Sequence, residues 1–229
     1  MYKTTKILRE YETAYRDLVT FKTRSTNPNT KDALILNELR DWSFICTTLD
    51  VIGDTTLAIK NFLEYGLEGV TDGNDDGEKY LRLYGVLNAT YLQQEAIRVL
   101  CSKIDLQKTE HVQEKINNLK IRDIRIKIGA HSSDYRNRLK GDRESYIPIR
   151  NSMRGYKFYY QNNEGIAEDV WVDLTEPLTE HLNLMIDLLD ETYEKTIKTV
   201  YRGNQLKRNE ELSKLTGLRK LKSKIANNI

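Results

Sequence analysis

The segment at residues 34–65 constrains the fold most, because it repeats apolar side chains at helical spacing almost without interruption. The repeat consists of Leu39, Trp42, Ile45, Leu49, Ile52, Leu57, Ile59 and Leu63. The same periodicity occurs at residues 4–24, 78–103, 108–128 and 176–201, and the whole chain contains only three prolines. Long amphipathic helices joined by short links predict a mainly α fold, an up-and-down bundle of four or five helices.

The character of the sequence changes after the fourth predicted helix. Residues 132–150 are polar and basic and are expected to form a loop. The segments 155–161 and 169–174 are rich in aromatic and β-branched residues, and Asn-Asn-Glu-Gly between them is a turn signal. They predict a small β-hairpin. We therefore expect one helical bundle over residues 1–203, with a hairpin insertion at about 155–174, and a separate C-terminal tail.

This tail, residues 204–229, is basic and is predicted to form an amphipathic helix from about 206 to 225. From residue 201 onward, eight Lys or Arg and two Glu give a net charge of +6, so residues 1–200 sum to −4 within a total of +2. One interpretation is a solvated helix and another is an electrostatic handle for RNA phosphates. A third is a structural helix that packs on the body through Leu212, Leu215, Leu218 and Leu221.

Overall charge and cysteine content limit the possible classes. A net charge of +2 does not by itself indicate a nucleic-acid-binding protein. Cys46 and Cys101 lie in apolar helical stretches without metal-ligand spacing, which predicts small core residues in a reduced compartment. The sequence has neither a signal-peptide pattern nor an apolar stretch long enough to cross a bilayer. We expect a soluble, cytoplasmic protein without membrane contact.

The loop before the third predicted helix imitates a calcium-binding loop at four positions, Asp72, Asn74, Asp76 and Gly77. The twelfth position of that template requires a bidentate Glu and is Leu83 here. The sequence therefore predicts a helix-capping turn and no metal site.

Arg125 and His131, six residues apart near the end of the fourth predicted helix, form the main candidate site. Histidine exchanges protons near neutral pH, and the guanidinium group matches the geometry of a phosphate. Together they supply a proton shuttle and a phosphate clamp. The chain has only two other histidines, His111 and His181, and both are predicted to be solvated because their neighbours along the helix are polar.

The segment Ile-Arg-Asp-Ile-Arg-Ile-Lys-Ile-Gly-Ala-His-Ser, residues 121–132, resembles the signature of the HEPN superfamily. That signature is an arginine, four to six residues and a histidine in the C-terminal part of a bundle helix. Residues 79–96 are also similar to the third helix of bacterial HEPN-like proteins. The resemblance covers about residues 1–135, and extends to 201 if the late helix completes the bundle.

The resemblance implies a metal-independent endoribonuclease that needs no cofactor and acts as a homodimer with both motifs in one cleft. Such proteins are common as toxins of toxin–antitoxin and phage-defence systems. Arg125 would hold the scissile phosphate of RNA and His131 would shuttle the proton. Lys127, Tyr135 and Arg122 are expected to contact the substrate. On an ideal helix Arg125 and His131 point about 120° apart and lie ~9 Å apart along the axis. We therefore expect Gly129 to loosen or end the helix, or the groups to converge across a two-fold axis.

Two alternatives remain open. HEPN proteins usually carry a polar residue directly after the motif arginine, whereas this chain has Ile126. This favours a catalytically inactive HEPN-like module that binds a partner protein or nucleic acid, with the hairpin aromatics as its contact surface. The other alternative is a nucleotide-binding helper of a nucleotidyltransferase, because in some branches of the family such a partner modifies a tyrosine shortly after the histidine. Tyr135 is the corresponding candidate, two residues farther from His131 than expected.

Overall fold

The structure is a computed structural model that describes residues 1–25, 30–106, 109–130, 135–136, 143–162 and 169–226. Its helices are α1 (Tyr2–Ser25), α2 (Thr30–Leu34), α3 (Asp41–Tyr65), α4 (Asp76–Lys103), α5 (Thr109–Asn117), α6 (Lys120–Arg125), α7 (Thr175–Val200) and α8 (Gln205–Ala226). The long helices α1, α3, α4 and α7 pack in a closed ring around one apolar core. The predicted mainly α helical bundle is confirmed.

Two predicted helices have different bounds in the structure. The second begins at Asp41, because α2 ends early and Ile35 adopts a left-handed φ of 57°. The amide of Leu36 then donates back to the carbonyl of Lys31 at 2.9 Å, a helix-terminating hydrogen bond. The fourth predicted helix is broken into α5 and α6 at Leu119, whose backbone is extended and whose side chain is buried. The helix that completes the ring with α1, α3 and α4 is therefore α7, and not the fourth predicted helix.

The turn before α4 caps that helix, as predicted. The Asp75 carboxylate accepts hydrogen bonds from the amides of Gly77 and Glu78, at 2.8 and 3.3 Å. Glu78 in turn accepts from the amides of Val70 and Thr71, so both sides of the turn are held by carboxylates. These bonds satisfy amides that have no partner within the helix.

The predicted hairpin is present. β4 (Lys157–Asn162) pairs antiparallel with β5 (Asp169–Asp173), and the turn predicted between them lies outside the described residues. The expected loop at 132–150 is partly wrong, because it contains strands: β1 (Tyr135–Arg136) pairs with β2 (Arg143–Glu144), and β3 (Tyr146–Pro148) pairs with β4.

The three-stranded sheet β3–β4–β5 is attached to the end of α3. The Leu67 amide donates to the Gly155 carbonyl at 2.8 Å. A Cβ on Gly66 would lie 2.8 Å from that same carbonyl oxygen, and the φ of Gly66 is +60°, so this approach requires glycine. Phe158 of β4 is fully buried in the common core, and β3 lies beside the segment that follows α6. The sheet thus extends the bundle next to the motif.

The basic C-terminal segment forms α8, which packs on α1 and α7. Leu215 is fully buried, and Leu212 and Leu218 pack against the core. Arg219 bonds both oxygens of Asp190 on α7, with its Nε 2.9 Å from Oδ2. Part of the positive charge of this helix is therefore compensated within the fold.

Candidate functional site

The motif segment forms α6 and then a single π turn at Ile126–Ala130. π turns are rare in helices and occur frequently at functional sites. Because each π hydrogen bond spans one residue more than an α bond, the regular α-helical phase ends after Arg125. The predicted loosening of the helix around Gly129 is therefore present. His131 lies outside the described residues.

Arg125 stacks on an aromatic ring of the neighbouring helix. Its guanidinium carbon lies 4.0 Å from the ring centre of Tyr91 on α4. Both side chains are half-buried, and a Cβ on Gly129 would lie 3.9 Å from the Arg125 Cγ. Within the described residues the Arg125 guanidinium has no carboxylate partner, so its fork of donors is available to an anion.

Arg122 lies one helical turn before Arg125 and approaches the same ring, with its guanidinium carbon 5.7 Å from the Tyr91 centre. Its Nη1 donates to the Gln94 side-chain oxygen at 3.1 Å and lies 3.5 Å from a carboxylate oxygen of Glu95. Arg122 and Arg125, both on α6, therefore meet at the same aromatic ring of α4.

Lys127 is also at the site but, unlike Arg125, it pairs with a carboxylate. Its Nζ lies 2.7 Å from a carboxylate oxygen of Asp123 and 5.7 Å from the ring centre of Tyr146 on β3. It ties the π turn to the sheet. Tyr135, the remaining predicted contact residue, has its backbone in β1, and its side chain lies outside the described residues.

Positive charge exceeds negative charge where α6 packs on α4. The cations are Arg98, Arg122, Arg125 and Lys127. The described carboxylates near them are Glu95, Asp123 and Glu144, which accepts a hydrogen bond from the Tyr146 hydroxyl. Glu95 is shared, because it also accepts two hydrogen bonds from Arg98. Although residues 1–200 are acidic overall, the described side chains of this face have a local excess of positive charge, which favours anion binding.

The prediction that His181 is solvated is wrong. The residue lies on α7 with no solvent exposure, and desolvation lowers the pKa of its imidazole from 6.5 to about 3. Its polar sequence neighbours misled the prediction because they occupy the outer face of the helix. Leu178 and Met185, three residues before and four residues after it, place His181 on the buried stripe.

Sequence reasoning also missed Tyr91, Gln93 and Gln94 on α4. The two glutamines are buried, Gln93 at 0% and Gln94 at 1% exposure. A signal was available, since both lie near the helical stripe that contains Leu87 and Ile97. Polar residues on a core stripe indicate a buried hydrogen-bond network.

The outer face of the three-stranded sheet presents apolar side chains. Trp171 on β5 is 65% exposed and contacts Tyr159 on β4 edge-on, with ring centres 5.1 Å apart. Ile147 on β3 is also exposed. Of the hairpin aromatics expected to form a contact surface, Trp171 is therefore exposed.

Comparison with protein-family models, curated proteins and solved structures gives no match to this chain. The HEPN resemblance thus stays a prediction that rests on the motif residues. None of the helices in the described ranges combines the length and apolarity needed to cross a membrane. In the same part of the chain, no group of three or more His, Cys, Asp or Glu side chains is arranged to hold a metal ion.

Proposed function

We propose that this protein is a HEPN-type, metal-independent endoribonuclease of a toxin or phage-defence system. The observation that carries the proposal is the Arg125 guanidinium, stacked on Tyr91 without a carboxylate partner in the described residues, at the start of a π turn that leads toward His131. The local excess of positive charge supports an anionic substrate.

The proposed chemistry is an in-line transesterification. The imidazole of His131 accepts the proton of the RNA 2′-hydroxyl, whose oxygen attacks the adjacent phosphorus, and the P–O5′ bond breaks. Arg125 donates to the phosphate oxygens, where negative charge increases in the transition state. The His131 imidazolium returns its proton to the leaving 5′-oxygen, so the imidazole is regenerated and the products are a 2′,3′-cyclic phosphate and a 5′-hydroxyl.

The test is cleavage of single-stranded RNA by the purified protein in EDTA, followed by analysis of the product ends. Arg125→Ala and His131→Ala should each reduce the rate, by about 10²–10⁴-fold for loss of the proton shuttle. His111→Ala is the matched control, since the His111 side chain is 55% exposed on α5. Absence of cleavage by wild type on a broad RNA panel, or equal rates for wild type and His131→Ala, refutes the enzyme proposal.

The proposal includes a homodimer. On α4, Tyr84 and Leu92 are exposed, and Tyr84 lies two turns before Tyr91 on the same side of the helix. Their apolar surface supports pairing of two copies beside the motif. Sedimentation equilibrium should give a dimer for wild type and a monomer for the double variant Tyr84→Lys/Leu92→Lys. A wild-type monomer at all concentrations contradicts the dimer.

A second candidate function is a catalytically inactive module that binds a partner protein or RNA. Exposed Trp171 beside Tyr159 favours it, together with Ile126 after the motif arginine. Candidate partners are an antitoxin or a nucleotidyltransferase encoded by a neighbouring gene. Mass spectrometry of the co-expressed protein tests the nucleotidyltransferase, because a nucleotide adduct on Tyr135 would identify that partner.

A further inference from the structure

A chain of buried hydrogen bonds crosses the bundle core between α3 and α7. The Gln93 side-chain amide nitrogen lies 3.1 Å from the Thr55 hydroxyl and 2.9 Å from the Thr56 hydroxyl. The Gln93 side-chain oxygen lies 2.9 Å from Nε2 of His181. All four side chains are buried, so these polar groups depend on one another for partners.

The chain continues from α7 to the motif helix. Nδ1 of His181 lies 3.3 Å from the amide nitrogen of Gln94, and the Gln94 oxygen accepts from Arg122 at 3.1 Å. The direction of each bond follows from these partners. Because Gln94 uses its oxygen for Arg122, its nitrogen donates to Nδ1, and the neutral imidazole donates from Nε2 to Gln93.

Burial of so many polar groups is costly unless every bond is made, and an apolar core would avoid that cost. Among the described residues, this series of hydrogen bonds reaches the surface at one end. That end is Arg122, whose guanidinium lies on the Tyr91 ring that also carries Arg125. The chain supplies a fixed acceptor that holds Arg122 beside Arg125, whereas Arg125 has no such anchor in the described residues.

We propose that Arg122 and Arg125 form a two-guanidinium clamp for a phosphodiester on Tyr91, and that Gln94 and His181 are positioning residues that preset Arg122. The inference deepens the proposed endoribonuclease function, because it assigns the single-stranded RNA backbone as the ligand of the clamp. A preset guanidinium loses less side-chain entropy on binding than a free one. Arg125 then completes the site when the phosphate arrives.

The experiment measures binding separately from cleavage. The probe is a fully 2′-O-methylated single-stranded oligoribonucleotide, which lacks the attacking hydroxyl, and the readout is fluorescence anisotropy over a range of salt concentrations. Arg122→Ala and Arg125→Ala should each weaken binding and each lower the salt slope by ~0.7, the value expected for one lost phosphate contact. A surface control, Lys198→Ala on α7, should leave both quantities unchanged.

A double-mutant cycle separates positioning from general damage. Gln94→Met keeps the volume of the side chain and removes the acceptor for Arg122. We expect it to weaken binding in the wild-type background and to have no further effect in the Arg122→Ala background. Additive effects, or no effect of Gln94→Met in either background, overturn the positioning role. If Gln94→Met does not fold, His181→Gln is measured in the same two backgrounds and judged by the same criteria.

The outcomes also separate this inference from the endoribonuclease proposal. Wild type that binds the methylated probe through both arginines but cuts no RNA supports the clamp and refutes the nuclease. Wild type that cuts RNA while Arg122→Ala binds with unchanged affinity and salt slope overturns the clamp. Absence of binding by wild type overturns the clamp as well.

Discussion

Arg125 lies with its guanidinium carbon 4.0 Å from the ring centre of Tyr91, on the helix next to its own. This contact joins α4 to the motif without neutralising the arginine. The π face of an aromatic ring attracts a cation but leaves the donors at the edge of the guanidinium free for a phosphate. An ion pair at Arg125 would instead compete with an anionic ligand. At Arg122 the pair with Glu95 is long, 3.5 Å, because Glu95 binds Arg98 more closely, at 2.9 Å.

Replacement of Tyr91 should therefore change the affinity for RNA more than the stability of the fold. Tyr91→Phe keeps the ring and should retain the affinity for single-stranded RNA, because the stack does not depend on the hydroxyl. Tyr91→Ala removes the support of the guanidinium and should weaken binding by about 2- to 30-fold, as expected for the loss of a cation–π contact. Anisotropy titration measures both. Equal affinities of the two variants would contradict this role for the ring.

The sequence predicted the helices well where an apolar repeat coincided with a packed face. The predicted bounds 176–201 and 206–225 agree closely with Thr175–Val200 and Gln205–Ala226. The predicted helix bounds were poorer where the backbone conformation of one residue decides where a helix ends. The apolar repeat carries no signal for the left-handed φ of Ile35 or for the extended backbone of Leu119, because it records which side chains are buried and not the backbone angles.

The candidate site was predicted in part. The motif segment pointed to Arg125, Arg122 and Lys127 as candidates, and the structure brings all three to the face between α4 and the sheet. The other two candidates are not placed, because His131 and the side chain of Tyr135 lie outside the described residues. The partners on other helices, Tyr91 and Gln94, were missed. A motif describes one segment, whereas these contacts depend on how α4 and α6 pack.

The buried imidazole of His181 should make stability depend on pH. Its folded-state pKa is lowered from 6.5 to about 3, so the unfolded chain takes up a proton that the folded protein excludes. Between these values the free energy of unfolding should fall as pH decreases, by up to about 1.4 kcal/mol per pH unit. Above the unfolded pKa this contribution is constant. Urea denaturation between about pH 7 and about pH 5 measures the slope, a range chosen to lie above most carboxylate titrations.

The control for this effect is His111, whose side chain is 55% exposed. His181→Met should reduce the slope over that pH range, and His111→Gln controls for the replacement of a histidine at the surface. The comparison uses slopes and not absolute stabilities, because His181→Met also changes the buried hydrogen-bond chain. Identical slopes for wild type and His181→Met would show that the imidazole is not held neutral in the folded state.

The C-terminal helix offers a matched pair of leucines. Leu215 has no exposure and Leu206 is 84% exposed on the same helix. Leu215→Ala should lower the free energy of unfolding by about 2–5 kcal/mol, because a cavity remains in the core. Leu206→Ala should change it by less than about 0.5 kcal/mol. Urea denaturation compares the two, and a small effect of Leu215→Ala would indicate that α8 is only loosely attached to the bundle in solution.

The two faces of the sheet should respond differently to loss of an aromatic side chain. Phe158 points into the core with no exposure, whereas Trp171 on the adjacent strand is 65% exposed. Phe158→Ala should lower the free energy of unfolding by about 3–5 kcal/mol. Trp171→Ala should leave stability within about 0.5 kcal/mol of wild type.

RNA binding by the Trp171→Ala variant is the second measurement. If the outer face stacks on RNA bases, Trp171→Ala should weaken RNA binding by about 1–3 kcal/mol, as for other aromatic–base stacks, without changing the salt slope. The slope stays constant because the indole carries no charge and makes no phosphate ion pair. Unchanged RNA affinity in stable Trp171→Ala would exclude base stacking by this residue. The exposed face would then be assigned to a protein partner, tested by co-purification of the neighbouring gene product with wild type and with Trp171→Ala.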